Sequence, residues 1–410
     1  MDPARGLGHD RMRRDVLRRR EFLKLSAGSA AGVLLEGSSA LADPGPRPAT
    51  LALCGDVMTG RGIDQVLPHP SDPRLYEPHV RSALDYVALA ERANGPIARP
   101  VAFDYPWGDA LAAVARARPD AWVVNLETAV TTSDDRAPKG IHYRMHPENV
   151  GCLTAAGIDA CALANNHVLD WGRAGLRETL ATLHAARLRT AGAGRDAAEA
   201  EAPALLPLRG GGRAIVFAFG AASSGIPREW AAGPGRPGVD LLEEGTVAKV
   251  AATVGSARRP GDVVVASVHW GGNWGYEIPP AQRELAHRLV DEAGVDLVHG
   301  HSSHHPKGIE IHGGRPILYG CGDFLTDYEG IRGYEEYRDD LVLLYLATLD
   351  PSTGALVRLE MEPFRLARFR LNRPSAGDAR WLRETLHREC AKLGTRVEAT
   401  EGGRFALAWG

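Results

Sequence analysis

The reading turns on Ile158-Asp159-Ala160-Cys161-Ala162-Leu163-Ala164-Asn165-Asn166-His167-Val168-Leu169-Asp170-Trp171-Gly172. Ile158 to Leu163 is a short, strand-like apolar run, and it stops in two amides and an imidazole. A strand that ends this way delivers polar ligands to a sheet edge, where α/β proteins build their sites. Imidazole is the commonest metal-ligating side chain, and the Asn amide supplies a neutral oxygen. Taken alone, the same residues also read as a turn with a capping Asn. Recurrence decides between the two readings.

Similar strand ends recur along the chain. Thr50 to Cys54 runs into Gly55-Asp56, and Ala121 to Leu126 delivers Glu127. Asp262 to Val268 ends in His269-Trp270-Gly271-Gly272. Val295 to Val298 ends in His299-Gly300-His301-Ser302-Ser303-His304-His305, and Ile317 to Cys321 ends at Gly322-Asp323-Phe324. Helical periodicity falls between them, at Trp107 to Arg118 with Pro119 as its stop, Gly175 to Ala186, Glu243 to Ala257 and Pro280 to Ala293. Strands alternating with helices imply an α/β sheet that gathers its strand ends along one edge.

The candidate ligands are therefore Asp56, Glu127, Asn166 with His167, His269, and His301 with His304. Carboxylates, an amide and imidazoles suit divalent ions such as Mn, Zn or Fe, and not Cu(I) or an iron–sulfur cluster. The inventory is large enough for one or two ions. Each residue also has a plain structural use: Asp56 as a turn cap, Glu127 as a partner for Arg61, His269 as a core imidazole beside Trp270. His299 and His305 read as supporting rather than ligating. A phosphate-binding P-loop at Gly55 to Gly62 is excluded, because Arg61 stands where Lys is required and Gly62 where Ser or Thr is.

The chain of 410 residues is 44% hydrophobic and 24% charged, which fits a globular protein with a real core. Its net charge of -3 gives no basic bias, so nucleic acid is not an expected partner. None of the five cysteines forms a CxxC pair, which argues against a zinc knuckle, and Cys54, Cys161 and Cys321 read as small buried residues. Residues 1–42 read as an export signal. Arg18-Arg19-Arg20-Glu21-Phe22-Leu23-Lys24 resembles the twin-arginine consensus, Leu25 to Leu35 is mildly apolar, and Ala40-Leu41-Ala42 offers a cleavage site. The twin-arginine translocase is thus an expected partner, and the periplasm, cell surface or exterior the expected location. Residues 43–49 read as a linker and 50–365 as the main domain, with a Pro- and aromatic-rich insertion at 63–106 that is a candidate lid. Residues 366–410 read as a C-terminal helical extension.

The ensemble Gly55-Asp56-Val57-Met58, Asn125-Leu126-Glu127, Ala164-Asn165-Asn166-His167 with Asp170 and Gly172, His269-Trp270-Gly271, Gly300-His301-x-x-His304 and Tyr319-Gly320-x-Gly322-Asp323-Phe324 resembles the CapA family of capsule and poly-γ-glutamate biosynthesis proteins. That family is similar to calcineurin-like metallophosphoesterases. The resemblance implies a four-layer α/β/β/α sandwich and a metal site at Asp56, Glu127, Asn166, His269, His301 and His304. It also implies His167 as the catalytic imidazole and Arg61 as the group facing a substrate anion. An anionic polymer or phosphoester would be the substrate, and a capsule-synthesis membrane complex a partner. The chain departs from the family pattern in its longer 63–106 segment and in Ser302-Ser303 between the two histidines. It also has Asp323 where the family has Asn, and it lacks the Asp-x-His of true metallophosphoesterases. The expected function is that of an exported protein acting in capsule or poly-γ-glutamate synthesis, export or release through a metal-dependent hydrolytic site for a phosphoester or a γ-glutamyl amide; the alternatives are a general secreted metallophosphoesterase and a non-catalytic scaffold of a capsule polymer complex.

Overall fold

The strand Ala49–Val57 lies at the centre of the larger sheet in the computed structural model, which describes residues 47–410. It is buried almost throughout, as expected of a strand covered on both faces. Along Ala49 to Leu53 it pairs antiparallel with Leu341–Leu349, and on its other edge it pairs parallel with Ala121–Leu126. Past Leu53 the antiparallel neighbour gives way, and Asp323–Leu325 pairs there in parallel, setting Asp56 opposite Asp323. The larger sheet continues through Ala160–Ala162 to Arg189–Ala191 on one side and through Leu356–Leu366 on the other. A second sheet of six strands centres on the parallel trio Arg213–Gly220, Val263–His269 and Leu297–His301.

The two sheets pack face to face because side chains alternate along each strand. Leu51, Leu53 and Val123 of the larger sheet meet Val216, Val265 and Leu297 of the smaller one. Ala52, Cys54 and Val124 point the other way, onto a layer with Ile63, Val87, Ala110, Leu176 and Leu180. Ile215, Val264 and Val268 pack outward on Val247, Val250, Ala286 and Leu289, from the helices Thr246–Ala257 and Pro280–Asp291. The architecture is the four-layer α/β/β/α sandwich. Trp107 shows how tightly the outer layer is held. It is fully buried, donates Nε1–H to Cys152 O at 2.8 Å and meets Trp122 edge-on at 5.5 Å.

Two regional expectations change. The segment 63–106 is no detached lid: Val66, Val87, Ala90, Ile97 and Val101 are part of the core. The 366–410 extension is not only helical. After the helix Ala376–Ala391, the strands Thr395–Ala399 and Phe405–Trp409 form a hairpin that adds to the edge of the larger sheet through Leu356–Leu366. The alternation of Thr395, Val397, Phe405 and Leu407 inward explains the hairpin, since these side chains are buried while their neighbours are not. All five cysteines are buried free thiols. No helix among the described residues is long and apolar enough to cross a membrane. The expected export signal, 1–42, and most of the expected linker, 43–49, lie outside the described residues.

Candidate metal centre

Ladder register brings the ligands together. Asp56 and Asn125 are opposite one another on adjacent parallel strands, and Asn125 Nδ2 donates to Asp56 Oδ1 at 2.7 Å. Asn165 in turn donates to Asn125 Oδ1 (3.1 Å) and Leu126 O (2.8 Å), while its own Oδ1 accepts from the backbone N–H groups of His167 and Val168. The first Asn of the Asn-Asn-His stretch thus shapes the turn, and the second presents its amide to the site. From the other sheet, His269 and His301 are ladder neighbours with Nδ1 atoms 2.9 Å apart. His269 Nε2 lies 3.1 Å from Asn166 Oδ1 and 3.8 Å from Glu127 Oε1.

The hydrogens can be assigned by elimination. Cys54 O can only accept, so His299 Nε2, 2.8 Å away, carries the proton. Burial pushes the His299 imidazole down to about 4, so the ring is neutral and its Nδ1 is bare. Ser267 Oγ, 3.0 Å away, gives its one hydrogen to that nitrogen. It therefore accepts from His301 Nε2–H at 2.8 Å. His301 is also held neutral by burial, so its Nδ1 is a bare lone pair aimed at His269 Nδ1 and, at 3.9 Å, at Asp56 Oδ1. If His269 donates Nε2–H to Asn166, two bare nitrogens confront each other, an arrangement that a shared cation relieves.

Charge argues the same way. Asp56, Glu127 and Asp323 are all buried. Burial and the Asp323 charge push Asp56 up to about 7; burial, Asp56 and Asp323 push Glu127 well above the carboxylate range. Burial disfavours the His304 imidazolium, yet Asp323, 2.9 Å from its Nδ1, and Asp56 together raise it above the ordinary histidine value. A negative cluster with neutral nitrogen donors is a good fit for a divalent cation. The backbone is strained at the same point: Ser302, which follows His301, sits at φ +101° and donates its N–H to Asp56 Oδ2 at 3.2 Å.

His167 stands at the mouth. Its Nδ1–H is held by Asp170 Oδ2 at 2.7 Å, its ring stacks on Tyr143 at 3.8 Å, and its Nε2 lies 4.0 Å from Glu127 Oε1. Burial lowers His167 to about 4 against the opposing pull of Asp170. Lys139 Nζ donates to Asp170 Oδ1 (2.7 Å) and Asn166 O (2.5 Å), holding the turn. These groups open on a cavity of about 350 Å³ bordered by Glu127, Lys139, Tyr143, His167, His304 and Tyr328.

Arg61 is not at the mouth, which corrects the expectation that it faces a substrate anion. Its side chain is buried, forks onto Asp327 (Nε–Oδ2 2.9 Å, Nη2–Oδ1 2.5 Å), donates to Glu77 at 2.8 Å and lies 3.7 Å over the Tyr86 ring. Glu127 is not its partner. A further group at His287, Glu310 and His312 has metal-like spacing, but Glu310 is already bonded by Arg283 and by Tyr319 Oη.

Residues 50–328, more than half of the chain, match the family described as bacterial capsule synthesis protein PGA_cap. The chain belongs to that family. Among its relatives, a probable polyglutamine synthesis accessory protein of Mycobacterium tuberculosis is 49% identical over 86% of this chain and 94% of that protein. The PGA biosynthesis protein CapA of Bacillus subtilis is 28% identical over 71% of this chain and 66% of that protein. A Mycoplasma pneumoniae phosphatase of known structure gives a TM-score of 0.44 at 10% identity, covering 80% of this chain and 95% of that one. This PGA_cap chain brings Asp56, Glu127, Asn166, His167, His269, His301 and His304 to one place and leaves Arg61 out. Its Ser267 relay was not expected, and Asp323, which the departure from the family's Asn marks as an added carboxylate near the site, was not among the expected ligands. Ser267 left no signal, being one polar residue inside an apolar strand. Asp323 did leave one, since it follows a strand like the others.

Proposed function

We propose that this protein is an exported accessory factor of capsule-polymer synthesis or release that acts by metal-dependent hydrolysis on an anionic polymer of the poly-γ-glutamate kind. The observation that carries the hydrolytic reading is the bare His301 Nδ1, fixed by the Cys54–His299–Ser267 relay and aimed into a buried carboxylate cluster. Asp56, Glu127, Asn166, His269, His301 and His304 would hold one or two Mn, Zn or Fe ions. Such an ion, when bound, polarises the scissile group and lowers the pKa of water. His167 keeps its Nδ1 proton on Asp170 and leaves Nε2 free to exchange a proton with the reacting group. Lys139 holds the Asn166 carbonyl and neutralises Asp170, and among the described residues it is the one Lys or Arg bordering the cavity. Residues 1–42 supply the route out through the twin-arginine translocase, and the polymer-synthesis complex at the membrane is the partner.

The test is elemental mass spectrometry on the folded chain starting at Asp43, beside an Asn166→Ala/His269→Ala double variant. One or two transition-metal ions per chain, lost in the variant, support the reading. Turnover of poly-γ-glutamate against a simple phosphodiester then separates a polymer hydrolase from a general secreted phosphoesterase. Absence of metal after incubation with Mn or Zn would sink the hydrolytic mechanism and leave a polymer-binding scaffold.

A further inference from the structure

We infer that Asp323, with Asp56 and His304, forms a second cation position, so that Asp56 bridges two chemically unlike sites. The inference rests on the metal-dependent reading above and adds a residue and a position to it. Asp56, His269 and His301 present one set of donor atoms within 4.8 Å of one another, and Asp56, His304 and Asp323 present another. Asp56 alone belongs to both. Parallel pairing of Asp323–Leu325 with the end of Ala49–Val57 puts Asp56 and Asp323 opposite each other in register.

Asp323 is 2% exposed, and its Oδ1 accepts from His304 Nδ1 at 2.9 Å. Its Oδ2 is buried with no hydrogen-bond partner. Two other buried carboxylates nearby, Asp170 and Asp327, are satisfied. Asp170 is bonded by His167, Lys139 and the Tyr143 N–H, and Asp327 by Arg61 and the Gly62 N–H. Among the described residues, Asp323 has no Lys or Arg partner. A buried carboxylate oxygen left bare costs the protein its desolvation energy unless something binds there.

The two positions differ in chemistry. The first draws on two imidazoles and the Asn166 amide beside Asp56. The second has two carboxylates and one imidazole, an oxygen-rich set that suits a harder ion such as Mn²⁺. The chain lacks the Asp-x-His motif, with Met58 where that imidazole would stand, and Asp323 supplies a donor from a different strand.

The plain alternative is that Asp323 only orients His304. The Asp323→Asn variant separates the two, because the amide Oδ1 still accepts from His304 while the charge and the bare carboxylate oxygen are gone. The chain from Asp43 is loaded with excess Mn²⁺, freed of unbound ion and assayed for bound Mn. About two ions in the parent and about one in Asp323→Asn are expected. Two ions retained in the folded variant would overturn the inference. Should the variant fail to fold, electron paramagnetic resonance of the Mn²⁺-loaded parent decides. Two ions sharing Asp56 give a spin-coupled spectrum, and an isolated single-ion signal would overturn the inference. A parent holding one ion at saturation defeats this inference and leaves the hydrolytic reading standing. A parent that binds none defeats both.

Discussion

Two buried charged groups lie within this sandwich, and they are built on opposite principles. Around Arg61 every charge is answered: Asp327 takes the guanidinium fork, Glu77 takes the remaining nitrogen, Tyr86 lies against its face and donates Oη–H to Glu77. Around Asp56 the charges do not close: three buried carboxylates crowd together with imidazoles, and they raise the affinity for a proton of Asp56, of Glu127 and of His304. The first arrangement is finished by the chain itself. The second, on the proposed reading, would be finished by a bound cation. A buried ion pair is therefore no sign of function in itself; a buried imbalance is the better pointer.

The comparison can be broken in a graded way. The largest effect is expected at the unbalanced group: His167→Gln should cut hydrolysis by about 10²–10⁴-fold while bound metal stays constant, as a proton-transfer role requires. Parallel loss of metal would make His167 a ligand instead. Next, Arg61→Met should cost about 3–5 kcal/mol in urea unfolding by stranding Asp327 and Glu77. Any part that still folds should keep its metal, and selective loss of metal would tie the balanced group to the site. Smaller again, Ser267→Ala should weaken metal binding by about 10–100-fold by freeing the His301 tautomer; competition with a chromogenic chelator reads this directly.

The smallest effect is in pH dependence without metal. Asp56 is raised in the folded state, so the native protein binds the extra proton and the stability it contributes is lost as pH rises from about 4 to about 7. His167 and His299 are depressed to about 4 and act in the opposite direction, gaining stability as pH rises toward 6.5. The difference between Asp56→Asn and the parent should grow in the variant's favour across that window in chelator. It should shrink when Mn²⁺ is restored, as thermal melts would report.

Strand ends were readable in the sequence because a short, continuous apolar run that stops in a polar residue marks both the element and the place where it ends. That logic reached Asp56, Glu127, Asn166, His269, His301 and His304. It failed at Arg61, since a cation in a glycine-rich loop looks like an anion holder until its partner is known. That partner, Asp327, lies 266 residues away in sequence. It stopped short at Asp323, although the same rule covers Ile317 to Cys321. The C-terminal hairpin was hidden behind a helix whose Gly394 stop reads as the end of structure. Its strands have no ligand to mark them, and they become intelligible once the open edge of Leu356–Leu366 is seen.

The hydrogen bond from His299 Nε2 to Cys54 O joins the two sheets across 245 positions of sequence. It also sets, through Ser267, which nitrogen of His301 is bare. Neither half of the chain can hold that tautomer alone, so the arrangement requires both sheets to be docked. On the proposed metal-dependent reading, cation uptake at His301 would therefore report that the two sheets have docked.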